Sequence, residues 1–207
     1  MLVKICGIST IEAADVAMQS GADFIGFVFA DSKRKISPIE ARKIATFLPP
    51  SAKKVGVFVN ETVNTMLEIA DNVGLDCIQL HGDEPPEIIE QLPYEVMKAI
   101  PAKPESLNTI EQYTLVDYFL IDSPYGKYRG GNGKPFDWDT LKDLPIDRAK
   151  LLLAGGLHAG NVQTAVQEVS PIGVDVSSGV EVGGKKDNEK IKAFIKRAKG
   201  LERMNKL

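Results

Sequence analysis

An α/β chain closing into a single (β/α)8 TIM barrel is the fold the sequence predicts, and three observations predict it. Eight short runs rich in Val, Ile and Phe recur about every 24 residues, helical patterns fill the intervals, and no Pro/Gly/Ser linker divides the 207 residues. Strict strand–helix alternation requires a parallel sheet with right-handed crossovers. Eight such repeats in this length suit one closed barrel domain spanning residues 1–207. An open doubly wound sheet is the alternative, but the G-x-G-x-x-G fingerprint that would follow its first strand is absent.

The strand-sized runs fall at 3–8, 24–29, 55–60, 77–81, 96–100, 118–122, 151–154 and 173–176. Several are apolar on both faces, as parallel strands covered on two sides must be. Between them, Val63, Met66, Leu67 and Ala70, and later Val162, Ala165, Val166 and Val169, repeat the i, i+3, i+4, i+7 spacing of a helix with one buried stripe. Weaker helical patterns occupy 11–20, 38–48, 85–92 and 104–113. Ser20-Gly21-Ala22-Asp23 and Val73-Gly74-Leu75-Asp76 share one plan, a helix end, a glycine and an Asp leading into a strand. Ser37-Pro38 and Asn161 read as helix N-caps. The last helix is placed at about 185–199 by Ile191, Phe194, Ile195 and Ala198, followed by a short basic tail.

Composition narrows the function classes. With 43% hydrophobic and 26% charged residues the chain is too apolar for disorder, and a net charge of −3 gives no push toward nucleic acid or an anionic membrane. Nine basic residues between Gly183 and Leu207, among them Lys185, Lys186, Lys190, Lys192, Lys196 and Arg197, read as the solvated face of the last helix. The N-terminus lacks the pattern of a secretory signal, and no apolar run approaches a membrane span. Two cysteines 71 positions apart form neither a disulfide framework nor a zinc knuckle, so a reducing cytoplasm is the expected location. Two histidines in total exclude a His-rich metal site, and no metal is expected.

In barrels of this kind chemistry sits where strands end and the following loops begin. Cys6 ends the first strand run and can face the mouth, whereas Cys77 begins the fourth and reads as a small buried hydrophobe. Asp122 closes Tyr118-Phe119-Leu120-Ile121-Asp122, and a carboxylate ending an apolar strand needs a partner, a capping role or a function. The stretches Ala154-Gly155-Gly156-Leu157 and Asp175-Val176-Ser177-Ser178-Gly179-Val180-Glu181 follow strands seven and eight, where such barrels commonly hold phosphate. Gly155, Gly156, Asp175, Ser177 and Ser178 are therefore phosphate-binding candidates. Arg34 suits either a substrate anion or an exposed basic loop. His81 stands at the mouth as a substrate contact or a hydrogen-bonded structural imidazole. The segment Arg129-Gly130-Gly131-Asn132-Gly133-Lys134 reads as a lid or simply a turn.

Taken together, Lys4-Ile5-Cys6-Gly7-Ile8, Gln79-Leu80-His81-Gly82, Leu120-Ile121-Asp122-Ser123, Gly130-Gly131-x-Gly133 with Phe136-Asp137-Trp138, Ala154-Gly155-Gly156-Leu157 and Val174 through Glu181 resemble, in order and spacing, the phosphoribosylanthranilate isomerases of tryptophan biosynthesis. The resemblance covers about residues 3–195. It implies a cofactor-free Amadori rearrangement of N-(5-phosphoribosyl)anthranilate to 1-(2-carboxyphenylamino)-1-deoxyribulose 5-phosphate. Carried over by motif, Asp122 is the general acid toward the ring oxygen and Cys6 the general base toward ribose C2. Arg34 lies near the anthranilate end, and Gly156, Asp175 and Ser177 fall where the family binds phosphate, chiefly through main-chain N–H groups. The sequence departs from the family at Lys33, where proline is frequent, and at Asn132, where Thr or Ser is usual. The chemistry asks for an Asp raised above its usual ~3.9 by burial and a Cys lowered below ~8.5, with Lys4 as the cation that lowers it.

Two alternatives accompany this reading. The related isomerase of histidine biosynthesis uses a pair of aspartates, but strand one here ends in Cys6. A non-catalytic phosphosugar-binding barrel would have lost the acid or the base, and both are present. The expected partner is a small phosphosugar rather than nucleic acid or membrane, for a monomer or homodimer.

Overall fold

The computed structural model describes residues 1–124, 136–141, 144 and 146–200; the loop read around Asn132 and the tail residues Arg203 and Lys206 lie outside the described residues. Eight parallel strands, β1 (Leu2–Cys6), β2 (Phe24–Val28), β3 (Lys53–Phe58), β4 (Cys77–Leu80), β5 (Glu95–Pro101), β6 (Tyr118–Asp122), β7 (Leu151–Leu153) and β8 (Gly173–Val176), pair in chain order, and β8 returns to β1 to close the barrel. The register aligns Lys4 with Phe24 on one side and with Asp175 on the other. Side chains alternate across the sheet. Phe24, Val55, Cys77, Met97, Ala99, Leu120, Leu152 and Ala154 therefore form an inner cluster, while Ile5, Phe27, Ile78, Ile121 and Val174 pack outward under the helices.

The floor of the barrel is polar but closed. Lys53 Nζ reaches the Glu95 carboxylate at 2.6 Å and lies 5.8 Å from the Phe24 ring and 5.9 Å from the Tyr118 ring. Phe24 and Tyr118 meet edge to face at 5.6 Å. Their apolar bodies fill the bore and their charges pair at its lower rim, leaving the opposite rim open for chemistry.

The helices are α1 (Ile11–Gln19), α2 (Pro38–Ala45), α3 (Val63–Val73), α4 (Pro104–Leu107), α5 (Val162–Val169) and α6 (Asn188–Gly200). The stripes of α5 and α6 are buried as their spacing requires. Ser37 opens α2 in a capping box with Glu40. After β4 the expected helix is a 3₁₀ turn at Pro86–Gln91, because Leu92 precedes Pro93 and is driven to extended backbone. The pattern at 104–113 splits into α4 and a 3₁₀ turn at Ile110–Gln112, with the Thr109 hydroxyl bonding locally to the Ser106 carbonyl. The last helix begins at Asn188 rather than near 185. Gly183 and Gly184, at φ +58° and +80°, turn the chain so that β9 (Glu181–Val182) pairs with β10 (Lys185–Lys186) first.

The Asp that leads into alternate strands has a repeated task. Asp23 Oδ2 accepts the Val3 amide, Asp76 Oδ2 that of Lys54 and Asp117 Oδ2 that of Val96, each at 2.8 Å. Each carboxylate thus satisfies the amide of the second residue of the preceding strand. Asp117→Ala should lower stability in urea unfolding by about 1 kcal/mol, and Asp117→Asn, which keeps an acceptor oxygen, by less.

Candidate active site

Cys6 and Asp122 end β1 and β6 in the inward phase, on the same rim. Parallel pairing makes this unavoidable, since all eight strands finish at one face. One Asp122 oxygen accepts the Ser123 amide at 2.7 Å, and the other lies 3.6 Å from His81 Nε2. The His81 Nδ1 stands 2.7 Å from the Gln79 side-chain amide nitrogen, inside the barrel. With Nδ1 accepting from Gln79, a neutral ring carries its proton on the nitrogen that faces Asp122. His81 is buried, so it belongs to the wall around the acid as well as to the mouth.

Below Cys6 lies Lys4, with no exposed side chain, its Nζ 2.8 Å from Asp175 Oδ1. Gly26 makes room for both groups: a Cβ there would stand 3.1 Å from Cys6 Sγ and 3.3 Å from Lys4 Nζ. Burial by itself would lower the Lys4 ammonium, but Asp175 and Cys6 outweigh it and hold it above its ordinary value. The expectation that Lys4 leaves Cys6 with a lowered pKa is corrected here. Burial raises the Cys6 thiol, Asp175 adds to the rise, and the pull of Lys4 and Lys186 does not reverse it. Cys77, inside the bore, is raised by burial too, and Glu95 adds to the rise.

Two turns follow β7 and β8. Gly155 and Gly156 adopt φ +82° and +64°, a left-handed pair that lays bare main chain beside Ser123, against which any side chain at 155 would collide. Asn161 begins α5 but does not cap it through its side chain. Its amide instead donates to the Gly156 carbonyl at 3.0 Å and its oxygen accepts the His158 amide at 2.8 Å, so it clamps the glycine turn. Asp122, Ala154, Gly155, Gly156, Leu157, Asp175, Val176, Ser177 and Ser178 line one small cavity. All five phosphate-binding candidates are thereby brought beside the acid, although the Asp175 carboxylate is occupied by Lys4.

Arg34 forms a two-pronged pair with Glu181, at 2.7 Å and 2.9 Å, and its stem packs over Gly7. Glu181 also accepts from Lys186 Nζ at 2.6 Å. That ammonium donates further to the Ser177 carbonyl and hydroxyl, at 3.0 Å and 3.2 Å, while the Ser177 hydroxyl donates to the Cys6 carbonyl at 3.0 Å. Burial would raise the Glu181 carboxyl, but Arg34 and Lys186 hold it below the usual range. From sequence Glu181 is named only as the end of the stretch after strand eight and Lys186 only as a surface cation, and Lys186 is no part of a solvated helix face. The Gly183-Gly184 pair, a hairpin signal, was the clue that it turns back. Among the described residues, no three His, Cys, Asp or Glu side chains gather as a metal ion would need.

A family model described as N-(5'-phosphoribosyl)anthranilate (PRA) isomerase matches residues 3–197. The chain belongs to this family. Phosphoribosylanthranilate isomerases are enzymes, and the likeness extends along the whole barrel. An N-(5'-phosphoribosyl)anthranilate isomerase from Oceanobacillus iheyensis is 50% identical over 196 residues, 94% of this chain and 95% of its own. The crystal structure of phosphoribosyl anthranilate isomerase from Thermotoga maritima superposes with a TM-score of 0.88 at 42% identity, covering 97% of this chain and 99% of that one. A phosphoribosyl anthranilate isomerase in complex with reduced 1-(o-carboxyphenylamino)-1-deoxyribulose 5-phosphate gives a TM-score of 0.81 at 43% identity, with the same coverage. Among the described residues no helix is long and apolar enough to cross a membrane.

The pair beneath the thiol is open to a stability test. Asp175→Asn should cost about 3 kcal/mol in urea unfolding, because it strips the counter-charge from a fully buried ammonium. The exposed i, i+3 partner Glu189 of Lys192 offers the control, and Glu189→Gln should leave the midpoint within error.

Proposed function

We propose that this chain isomerises N-(5-phosphoribosyl)anthranilate to 1-(2-carboxyphenylamino)-1-deoxyribulose 5-phosphate, with Asp122 as general acid and Cys6 as general base. One observation carries the reading: round the ring, β6, β7, β8 and β1 stand in succession and end in Asp122, the Gly155-Gly156 turn, the Ser177-Ser178 turn and Cys6. A sugar whose phosphate rests on the two middle turns has the acid on one side and the base on the other.

In the first step the Asp122 carboxyl gives its proton to the furanose ring oxygen. The C1–O bond breaks, and the anilino nitrogen's lone pair forms the iminium. The Cys6 thiolate then removes the proton from C2, and the electrons of that bond move through C1 to neutralise nitrogen. The resulting enolamine becomes the ketone as its hydroxyl proton is lost and C1 gains one. No redox partner enters, so no cofactor is required. Gly155, Gly156, Ser177 and Ser178 offer main-chain N–H groups and hydroxyls to the phosphate, while Asp175 serves by holding Lys4. Arg34 faces the anthranilate carboxylate, and His81 steadies Asp122 and the bound sugar.

Cys6→Ser and Asp122→Asn should each reduce turnover by ~10²–10⁴-fold, read from the loss of anthranilate fluorescence, with the circular dichroism spectrum kept. Near-normal turnover in either variant removes that residue from the mechanism. The raised thiol sets the sign of the pH dependence. Only the thiolate is alkylated, so the rate at which iodoacetamide modifies Cys6 in the wild type should still be climbing with pH at the ordinary thiol value of ~8.5.

A further inference from the structure

We propose that Lys186 is a positioning residue for the reaction, supplying the positive charge that balances the Cys6 thiolate when the base is formed. The inference rests on the reading of Cys6 as the base, and it starts from a count of the charges packed around that side chain.

Five ionised groups form the cluster around Cys6: Lys4, Asp175 and Lys186 act on the thiol directly, and Arg34 and Glu181 are bonded into the same set. Lys4 of β1 and Asp175 of β8 form one pair beneath it. Arg34, from the loop after β2, and Glu181 and Lys186, from the β9–β10 hairpin, form a second group beside it. Asp122 and His81 stand across the mouth and pair with each other at 3.6 Å. In the near group Lys4 is matched by Asp175 and Arg34 by Glu181. Lys186 has only a share of the Glu181 carboxylate, so the five groups sum to one positive charge. Ionising the thiol makes the cluster neutral.

Hydrogen bonding fixes the Lys186 ammonium in place. Its ammonium meets three acceptors, the Glu181 carboxylate at 2.6 Å, the Ser177 carbonyl at 3.0 Å and the Ser177 hydroxyl at 3.2 Å, one for each N–H. Its side chain is only 4% exposed, so water does little to screen its field. Burial lowers the ammonium below its ordinary value and Arg34 adds to the fall, while Glu181 and Cys6 restore only part of it. The connection to the base is short. The Ser177 hydroxyl that accepts from Lys186 donates to the main-chain carbonyl of Cys6 itself. Lys186 also works against burial at the Cys6 thiol, drawing it downward.

The arrangement predicts opposite effects from the two ends of a single ion pair. Removing Lys186 takes away the balancing charge, whereas removing the Glu181 charge leaves two cations beside the thiol. The experiment measures the rate of Cys6 alkylation by iodoacetamide against pH, read by intact mass, in a Cys77→Ser background so that only Cys6 reacts. Lys186→Met should move the midpoint up, slowing alkylation about tenfold at a fixed pH below it, and Lys186→Arg should restore the wild-type profile. Glu181→Gln should move the midpoint down. Structural damage to the hairpin would push both variants the same way, so shifts of one sign, or profiles that overlay the wild type, overturn the proposal. If Lys186→Met does not fold, the direction of the Glu181→Gln shift decides alone. Turnover of Cys6→Ser reports separately on the functional reading. Near-normal turnover there rejects Cys6 as the base, whatever the alkylation profiles show.

Discussion

A lysine with no exposed side chain sits inside the barrel, bonded to an aspartate one strand away, and much of the site follows from that contact. Lys4 and Asp175 face each other across the β1–β8 seam, where the last strand returns to the first. A buried ion pair is costly to desolvate, and apolar residues of similar volume often do as well for stability. The pair therefore has a different use. It places a fixed dipole under the mouth and forces Gly26 to stay small, and the resulting hollow is where the Cys6 thiol lies.

The bore is divided by depth. Its floor is sealed by Phe24 and Tyr118 with Lys53 and Glu95, its middle is filled by Val55, Cys77, Met97, Leu120 and Leu152, and its upper layer carries Cys6, Gln79, Asp122 and Asp175. Between the paired charges of the floor and the polar mouth the bore is apolar, and the mouth's polar groups are engaged from below or beside by protein. That engagement makes the groups rigid before any substrate arrives, so the work of orienting them is not left to binding.

The strands and the placing of Cys6 and Asp122 at one rim were legible because each rests on short-range pattern. Apolar runs mark strands, alternation assigns their faces, and the last inward residue of a run ending at the mouth is a candidate for chemistry; Cys6 and Asp122 both follow from that rule. Three features were not legible. The 3₁₀ turn at Pro86–Gln91 has helical composition but is cut short by the proline after Leu92. Asn161 carries the signature of a cap, yet its side chain finds the Gly156 carbonyl, a partner available only once β7 is in place. Lys186 looks like one more surface cation until the hairpin folds it onto Glu181. In the last two cases a tertiary partner overrode a local preference. The sign of the Cys6 shift failed for a related reason, since the nearby cation was visible in the sequence but the depth of burial was not.

Ser177 joins the two halves of the site. It lies in the turn after β8, beside the cavity formed by Gly155 and Gly156, and its hydroxyl holds the carbonyl of Cys6. Any ligand that tightens this turn tightens the end of β1 with it. Interactions with a remote, unreactive part of a substrate raise a rate only when they improve the geometry at the reacting atoms. A single residue shared between the turn after β8 and the strand bearing the thiol is a direct way to meet that condition, because no intervening side chain has to relay the movement. The hairpin shares in the same coupling, since Lys186 bonds to both the carbonyl and the hydroxyl of Ser177 while Glu181 ties it to Arg34. Contacts at the arginine and contacts at the turn after β8 therefore converge on one serine, and through it on the strand that bears the thiol.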